Sequence, residues 1–295
     1  MESNITTTID QHMNPKYQFA KALRPFSFSV ALITCGLGIS VGQQLQNIDS
    51  FNAFLVLLAG LLLQAGVNLI NDHADLKNKL TRQLLSDEDI SRIVFNYKSG
   101  WLCFAVCILI GLYLTYQTNL FLFLLAVLGG FGALFYTTEP IHYKRRGLGV
   151  FLVFFFMGVL MVYGSYFAVT GLHALEPIII SIPISFFTSA LLLSNELRDY
   201  STDKQEGLKT LTVRLGRATG KNLYTALLML GFAFALIIAG GKHSWEFSFI
   251  FMPALALSIT AIITVYTQNN LISLPPKTGK IYLIFGICQI LLMQL

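Results

Sequence analysis

The sequence predicts an all-α fold, a polytopic transmembrane bundle of nine helices, and three observations carry that prediction. Nine apolar runs free of Asp, Glu, Lys and Arg divide the chain, mostly near the ~17–25 residues that a bilayer-crossing helix needs. Hydrophobic residues make up 55% of the 295 and charged residues only 12%, too little polar surface to clothe a soluble core of this size. The basic residues are one-sided: of the 20 Lys and Arg, all but Lys242 fall on one face when the spans alternate across the membrane.

Each span follows in order. A polar segment, residues 1–23, carries Lys16 and Lys21 and precedes Phe26–Gly42; no small-residue cleavage site leads from that run into a soluble domain, so it is expected to stay. Phe51–Ile70 runs into the cluster NLINDHADLKNK at Asn68–Lys79 and a long loop, Asn71–Gly100, before Trp101–Tyr116 and Asn119–Tyr136. The basic run Lys144–Arg146 then introduces Phe151–Val169, and Pro177–Ser194 ends in a second cluster, NELRDYSTDKQEGLKT at Asn195–Thr210. Leu223–Ala239 follows Arg217 and Lys221, Phe247–Tyr266 follows Lys242, and Ile281–Leu295 follows Lys277 and Lys280. Retention of Lys and Arg inside the cell puts the N terminus in the cytoplasm and the C terminus outside, in the cell membrane. The net charge of +5 follows from that topology and calls for no nucleic-acid partner. Nothing between the spans reads as a second globular region, so residues 1–295 are expected to form a single membrane domain.

Cys35, Cys103, Cys107 and Cys288 all lie within spans, where cysteine serves as a small apolar filler; no partner set completes a metal site. The chemistry is concentrated in the two clusters. If the second helix continues, Asn68, Asp72 and Asp75 stand at i, i+4 and i+7 on one face, as Asn195, Asp199 and Asp203 do at i, i+4 and i+8 on the sixth. Facing groups of hard oxygen ligands suit Mg²⁺, which takes one or two carboxylates and completes its octahedron with water and phosphate oxygens. The same residue types also cap helices at an interface. Two like-built clusters on one predicted face, with basic residues beside them, favour a metal–diphosphate site.

These residues resemble the UbiA superfamily of membrane prenyltransferases, and within it the 1,4-dihydroxy-2-naphthoate polyprenyltransferases. The superfamily's first motif, NDxxDxxxD, is similar to NDHADLKNK and matches at Asn71, Asp72 and Asp75. The second, close to DxxxDxxxGxxT, matches at Asp199, Asp203, Gly207 and Thr210, and the naphthoate branch's TLxVRLG stands at Thr210–Gly216. Leu23–Pro25 resembles the start of the family's first helix; Tyr136, Pro140 and Gly147–Gly149 resemble its fourth-to-fifth loop. Three positions depart from the pattern: Lys79 stands at the third acid of the first motif, Val150 where an acid usually follows GLG, and Glu196 where the naphthoate branch has Asn.

The resemblance implies Mg²⁺ held by Asp72, Asp75, Asp199 and Asp203, with a polyprenyl diphosphate as donor. Substrate contacts fall to Asn68, Asn71, Tyr136, Lys144, Arg145, Asn195 and Arg198. The implied acceptor is 1,4-dihydroxy-2-naphthoate, prenylated with loss of its carboxylate as carbon dioxide in menaquinone synthesis; 4-hydroxybenzoate and homogentisate stay open. An apolar, aromatic-lined pocket is needed to keep an allylic cation from water, and Phe154, Phe155, Phe156 and Tyr163 are candidates for its wall. His73 and His142 read as spectators. A small-molecule transporter is the rival from another class, but transporters place ionisable residues near the bilayer midplane and these spans hold none.

Overall fold

A computed structural model describes residues 14–76, 82, 85–136, 140–242 and 245–295. The described residues form helices and no strands. In chain order the long ones are α1 (Phe28–Leu45), α2 (Ser50–Asn71), α3 (Asp87–Gln117), α4 (Leu120–Leu134), α5 (Gly149–Thr170), α6 (Glu176–Gln205), α7 (Arg217–Lys242), α8 (Met252–Thr267) and α9 (Leu274–Gln294). Among the described residues seven helices are long and apolar enough to cross a membrane, and α4 is a shorter apolar helix of 15 residues. The chain is a multi-pass membrane protein, and each expected apolar run lies on one of these nine helices.

Two boundaries differ from expectation. The loop expected over Asn71–Gly100 is in large part helix, because α3 starts at Asp87. A reciprocal cap fixes that start: Ser86 Oγ accepts from the Asp89 N–H at 3.1 Å, and Asp89 Oδ2 accepts from the Ser86 N–H at 3.4 Å. The helix α2 does not carry its α geometry through the first cluster; it ends at Asn71 and tightens into a 3₁₀ turn over Asp72–Leu76. On the other side α6 runs 30 residues to Gln205, so the second cluster is helical well beyond the apolar run, as expected.

In lipid the driving force for packing helices is close contact rather than exclusion of water, and small residues permit it. Gly66 and Gly100 let α2 and α3 touch: a Cβ on Gly100 would lie 2.8 Å from Ile70 Cγ1 and 3.1 Å from the Gly66 carbonyl. Gly158 does the same between α5 and α6, where an added Cβ would sit 2.0 Å from Ser185 Oγ. Gly158 falls within a π-helical stretch of α5, Phe154–Leu160. Large apolar side chains such as Leu102, Ile108 and Leu109 of α3 stay exposed, as lipid-facing residues do.

The polar N-terminal segment is docked from Asn14 onward. Tyr17 and Ala22 are buried, the Asn14 N–H donates to Asp89 Oδ1 at 3.2 Å, and Asn96 Nδ2 donates to the Tyr17 carbonyl at 2.9 Å. These bonds strap residues 14–22 to the cap and first turns of α3, and so carry the chain to the beginning of α1.

Candidate active site

One cavity of about 1110 Å³ runs through the bundle. Its polar end gathers Asn68, Asn71 and Asp72 from the end of α2, Asn195, Arg198, Asp199 and Asp203 from α6, and Tyr136 and Arg145 from the α4–α5 connection. Nine of the expected site residues thus line a single space. The side chains of Asp75 and Lys144 lie outside the described residues, and so does all of Lys79.

Asp72 is the most deeply buried of these carboxylates, its side chain 1% exposed. Arg24 Nη2 donates to its Oδ1 at 2.7 Å, and Lys16 Nζ stands 3.9 Å from the same oxygen. The Asn71 amide oxygen, in the orientation that satisfies both groups, accepts from Arg24 Nη1 and Nη2 at 3.0 and 3.1 Å. The local chain is built to aim this arginine. Arg24 adopts a left-handed backbone, φ 50, and its carbonyl accepts from Ser27 Oγ at 2.9 Å. Asn68 Nδ2 donates to the Leu23 carbonyl and to Ser27 Oγ, both at 2.8 Å, while Gln64 donates to Asn68 Oδ1 at 3.4 Å. The described bonds of Asn68 therefore hold the turn that carries Arg24.

On α6 the spacing of the second cluster is explained by a reversal of the chain. Gly207, at φ +71, takes the left-handed conformation that ends the helix, and the Leu208 N–H returns to the Asp203 carbonyl at 2.8 Å. Thr210 is thereby brought beside Asp203, and its hydroxyl donates to Oδ2 at 3.3 Å. Asp199 pairs with the adjacent Arg198 in a two-pronged contact, Nε to Oδ1 at 2.7 Å and Nη2 to Oδ2 at 2.6 Å. That carboxylate, more than any other influence, holds the Arg198 guanidinium above its ordinary pKa. Asn195 Nδ2 donates back to the Leu191 carbonyl at 3.0 Å.

The stretch after the second cluster docks through two further contacts. Glu196 is buried, and its Oε2 accepts from the Thr212 N–H at 3.1 Å, so it ties the returning segment to α6. Gly147, at φ +72, lies against Arg214: a Cβ there would meet Arg214 Cδ at 2.7 Å. Arg214 Nε in turn donates to the Lys209 carbonyl at 3.0 Å. The Gly147–Gly149 and Thr210–Gly216 motifs, about sixty residues apart by their numbers, are thus two halves of one joint. Val150 is core: it is 2% exposed and its carbonyl accepts from Ser189 Oγ at 2.9 Å.

The aromatic wall differs from expectation. Phe156 lines the cavity, but Phe154, Phe155 and Tyr163 do not. Phe154 packs edge-on against Phe186, Phe155 is 42% exposed, and the Tyr163 hydroxyl pairs with His173 Nδ1 at 3.0 Å. Tyr143 was not foreseen; it lines the polar end, donates to the Gly132 carbonyl at 2.7 Å and sits edge-on to Tyr136, and burial raises its phenol pKa. His73 stacks on Tyr97 and does not line the cavity, whereas His142 is on its wall.

Away from the polar end the cavity becomes apolar, with Phe104, Met157, Leu160 and Met161 on its wall. Ile108 and Leu112 of α3 and Phe123, Val127 and Phe131 of α4 line it while being exposed, so the cavity opens sideways between α3 and α4. Gly111 and Gly130 leave open space where a side chain would stand.

The oxygen set suits a hard cation that shares its coordination with a ligand. Among the described residues no three His, Cys, Asp or Glu side chains come close enough to cage an ion. Carboxylates contributed to one cavity by two separate helices match Mg²⁺, which retains water or phosphate oxygens, better than Zn²⁺, which is enclosed by nitrogen and sulfur ligands.

The UbiA prenyltransferase family model matches residues 31–283. The chain is 27% identical over 282 residues to UbiA prenyltransferase domain-containing protein 1 of Gallus gallus, covering 91% of this chain and 82% of that protein. It is 24% identical over 278 residues to 1,4-dihydroxy-2-naphthoate octaprenyltransferase of Bacillus subtilis, covering 89% and 88%. Its fold is similar to that of a UbiA homolog from Archaeoglobus fulgidus bound to GPP and Mg²⁺, with a TM-score of 0.60, 18% identity and coverage of 94% of this chain and 99% of that one.

Proposed function

The chain belongs to the UbiA prenyltransferase family, and we propose that it moves a polyprenyl group from its diphosphate to an aromatic quinone precursor, 1,4-dihydroxy-2-naphthoate, within the cell membrane. The observation that carries this reading is the cavity itself: Asp72 and the Asp199–Asp203 pair approach from separate helices at its polar end, and the rest is apolar and open to lipid. A diphosphate between the clusters puts its charge at the polar end and its isoprenoid tail along the wall towards the α3–α4 opening. Asp72, Asp75, Asp199 and Asp203 would hold Mg²⁺, which would supply the positive charge that neutralises the diphosphate and stabilises the leaving pyrophosphate.

The chain's own residues supply the rest. Arg24, Arg145 and Arg198 line the cavity and would contact phosphate oxygens, with Lys144 next to Arg145 in sequence. The carbon–oxygen bond of the donor breaks with its electron pair leaving on pyrophosphate. Phe156, Tyr136 and the apolar wall then shield the allylic cation from water. An electron-rich ring carbon of the acceptor forms the new bond, and loss of the ring carboxylate as carbon dioxide returns an electron pair to the ring. The naphthoate assignment is supported by the motif Thr210–Gly216 and by the Bacillus subtilis relative. The distribution of Lys and Arg supports a cytoplasmic active site, a cytoplasmic N terminus and an external C terminus.

The test offers three acceptors in parallel. Purified protein in membranes receives Mg²⁺, a polyprenyl diphosphate and either dihydroxynaphthoate, 4-hydroxybenzoate or homogentisate, and lipid products are identified by mass spectrometry. A decarboxylated prenyl naphthoquinol made only with divalent metal is expected. No metal-dependent consumption of the donor with any acceptor overturns the reading, and a product from another acceptor alone overturns the naphthoate assignment.

A further inference from the structure

In each cluster one carboxylate is already neutralised by an arginine. Asp72 is covered by Arg24 at 2.7 Å with Lys16 behind it, and both oxygens of Asp199 are held in the Arg198 fork at 2.7 and 2.6 Å. These are the oxygens a divalent ion needs. A guanidinium that occupies a carboxylate's lone pairs and a metal that seeks them compete, and their like charges repel at such range. The two arginine side chains are 32% and 34% exposed and line the cavity, so their heads have space to swing. Their roots do not move with them: Arg24 springs from a turn fixed by Asn68 and Ser27, and Arg198 from the α6 backbone about two turns before its end.

We infer that Arg24 and Arg198 are placeholders for the metal, and that a diphosphate draws them off Asp72 and Asp199 and so makes those carboxylates available to the divalent ion. The inference rests on the metal–diphosphate reading above and adds a coupling between the two ligands to it. Free Mg²⁺ meets carboxylates whose charge is already balanced, and displacing an arginine would leave a second cation unpaired beside it. A diphosphate offers both guanidinium forks a better partner, because planar bidentate contacts to phosphate oxygens replace those to a carboxylate. Anion and metal then strengthen each other's binding, and by linkage the effect is the same whichever arrives first. The enzyme in this scheme loads metal weakly without donor, and the carboxylates are never left bare between turnovers.

The experiment measures binding, not turnover, on the full chain in nanodiscs, with Mn²⁺ as the metal probe followed by its paramagnetic resonance and inorganic pyrophosphate as the anion probe. Free Mn²⁺ is held at known levels so that complexes in solution are accounted for. In the wild type, saturating pyrophosphate is expected to tighten Mn²⁺ binding by about tenfold or more, within the usual range of coupling between sites. Arg24→Gln and Arg198→Gln are each expected to tighten Mn²⁺ binding in the absence of pyrophosphate by about threefold or more, to weaken pyrophosphate and to shrink the coupling. Arg24→Lys keeps the cation but not the planar fork and is expected to fall between the wild type and Arg24→Gln, while thermal unfolding of each variant in the same nanodiscs guards against a change caused by misfolding. If the wild type binds both probes without coupling, or if either Gln variant, folded by thermal unfolding, binds Mn²⁺ no more tightly than the wild type, the placeholder role is wrong and the site reading stands. If the wild type fails to bind Mn²⁺ even with pyrophosphate, the site reading itself fails and takes the inference with it.

Discussion

Replacing Asp72 by Asn separates a structural carboxylate from a chemical one. The side chain is 1% exposed and accepts from Arg24 at 2.7 Å, so an isosteric amide keeps the volume and an acceptor oxygen while removing the charge. A hydrogen bond to a charged group contributes about 1.5–3 kcal/mol and a neutral one roughly half, so the fold is expected to lose only about 1 kcal/mol. The loss of a metal-ligating charge acts on the barrier instead. Turnover is expected to fall by about two orders of magnitude, roughly 2.7 kcal/mol at about 1.36 kcal/mol per tenfold. Asp49 supplies the control: it caps α2, accepting from the Phe51 N–H at 2.7 Å, and it does not line the cavity. Asp49→Ala should cost about 1 kcal/mol through the lost cap and leave turnover intact. The assay is product formation at saturating Mg²⁺ and donor, alongside thermal unfolding in the same detergent. Turnover of the Asn variant within about threefold of the wild type would sink the assignment of Asp72 to the metal site.

Four further outcomes follow from other parts of the molecule. Reporters fused to the two ends are expected to read cytoplasm at the N terminus and exterior at the C terminus; both on one side would break the alternation of nine spans. Gly158→Val forces a side chain into Ser185, whose Cα would lie 2.8 Å from the new Cβ, and should destabilise by about 1–3 kcal/mol or more in thermal unfolding; unchanged stability would refute the close α5–α6 contact. Gly207→Ala strains a left-handed position with no steric contact nearby and should cost about 1 kcal/mol while raising KM for metal by loosening Thr210 from Asp203; equal stability and KM would show the reversal does not position Asp203. Gly111→Phe fills open space on the α3 side of the lateral opening and should cut turnover of a long donor about tenfold while sparing geranyl diphosphate; equal loss with both donors would place the tail elsewhere.

How much of this was legible in the sequence varies with the range of the interaction. The helices were readable because each crosses an apolar medium, and a run free of charge has no other stable use. Asp199 and Asp203 were readable as neighbours because one helix carries both, and a 3.6-residue period is local. The first fourteen residues of α3, by contrast, read as a loop because they are charged and lie beyond the apolar run. What makes them helical is a capping box and burial of Ile93 and Asn96 against other segments. The consecutive residues Phe154, Phe155 and Phe156 could not be told apart either. Adjacent positions on a helix point in different directions, and which one faces the cavity is fixed by the rotation of α5, set here by contact of Gly158 with Ser185.

Arg24 shows most clearly why a site's electrostatics outruns its motif. Next to a span, an arginine reads as one of many charges retained on the cytoplasmic face, and the resemblance of Leu23–Pro25 to the start of a family helix gives Arg24 no partner. Its partner is 48 residues away, and the contact exists because Asn68, four residues before Asp72 on α2, holds the turn at Leu23 that aims the guanidinium. The amide and the carboxylate therefore act as a pair: one fixes the root of the arginine and the other receives its head. A substitution of Asn68 is expected to act through Arg24, so Asn68→Leu should weaken pyrophosphate binding as Arg24→Gln does, and combining the two should add little. Additive losses in that double-mutant cycle would mean that Asn68 meets the substrate directly and that the turn is aimed by something else.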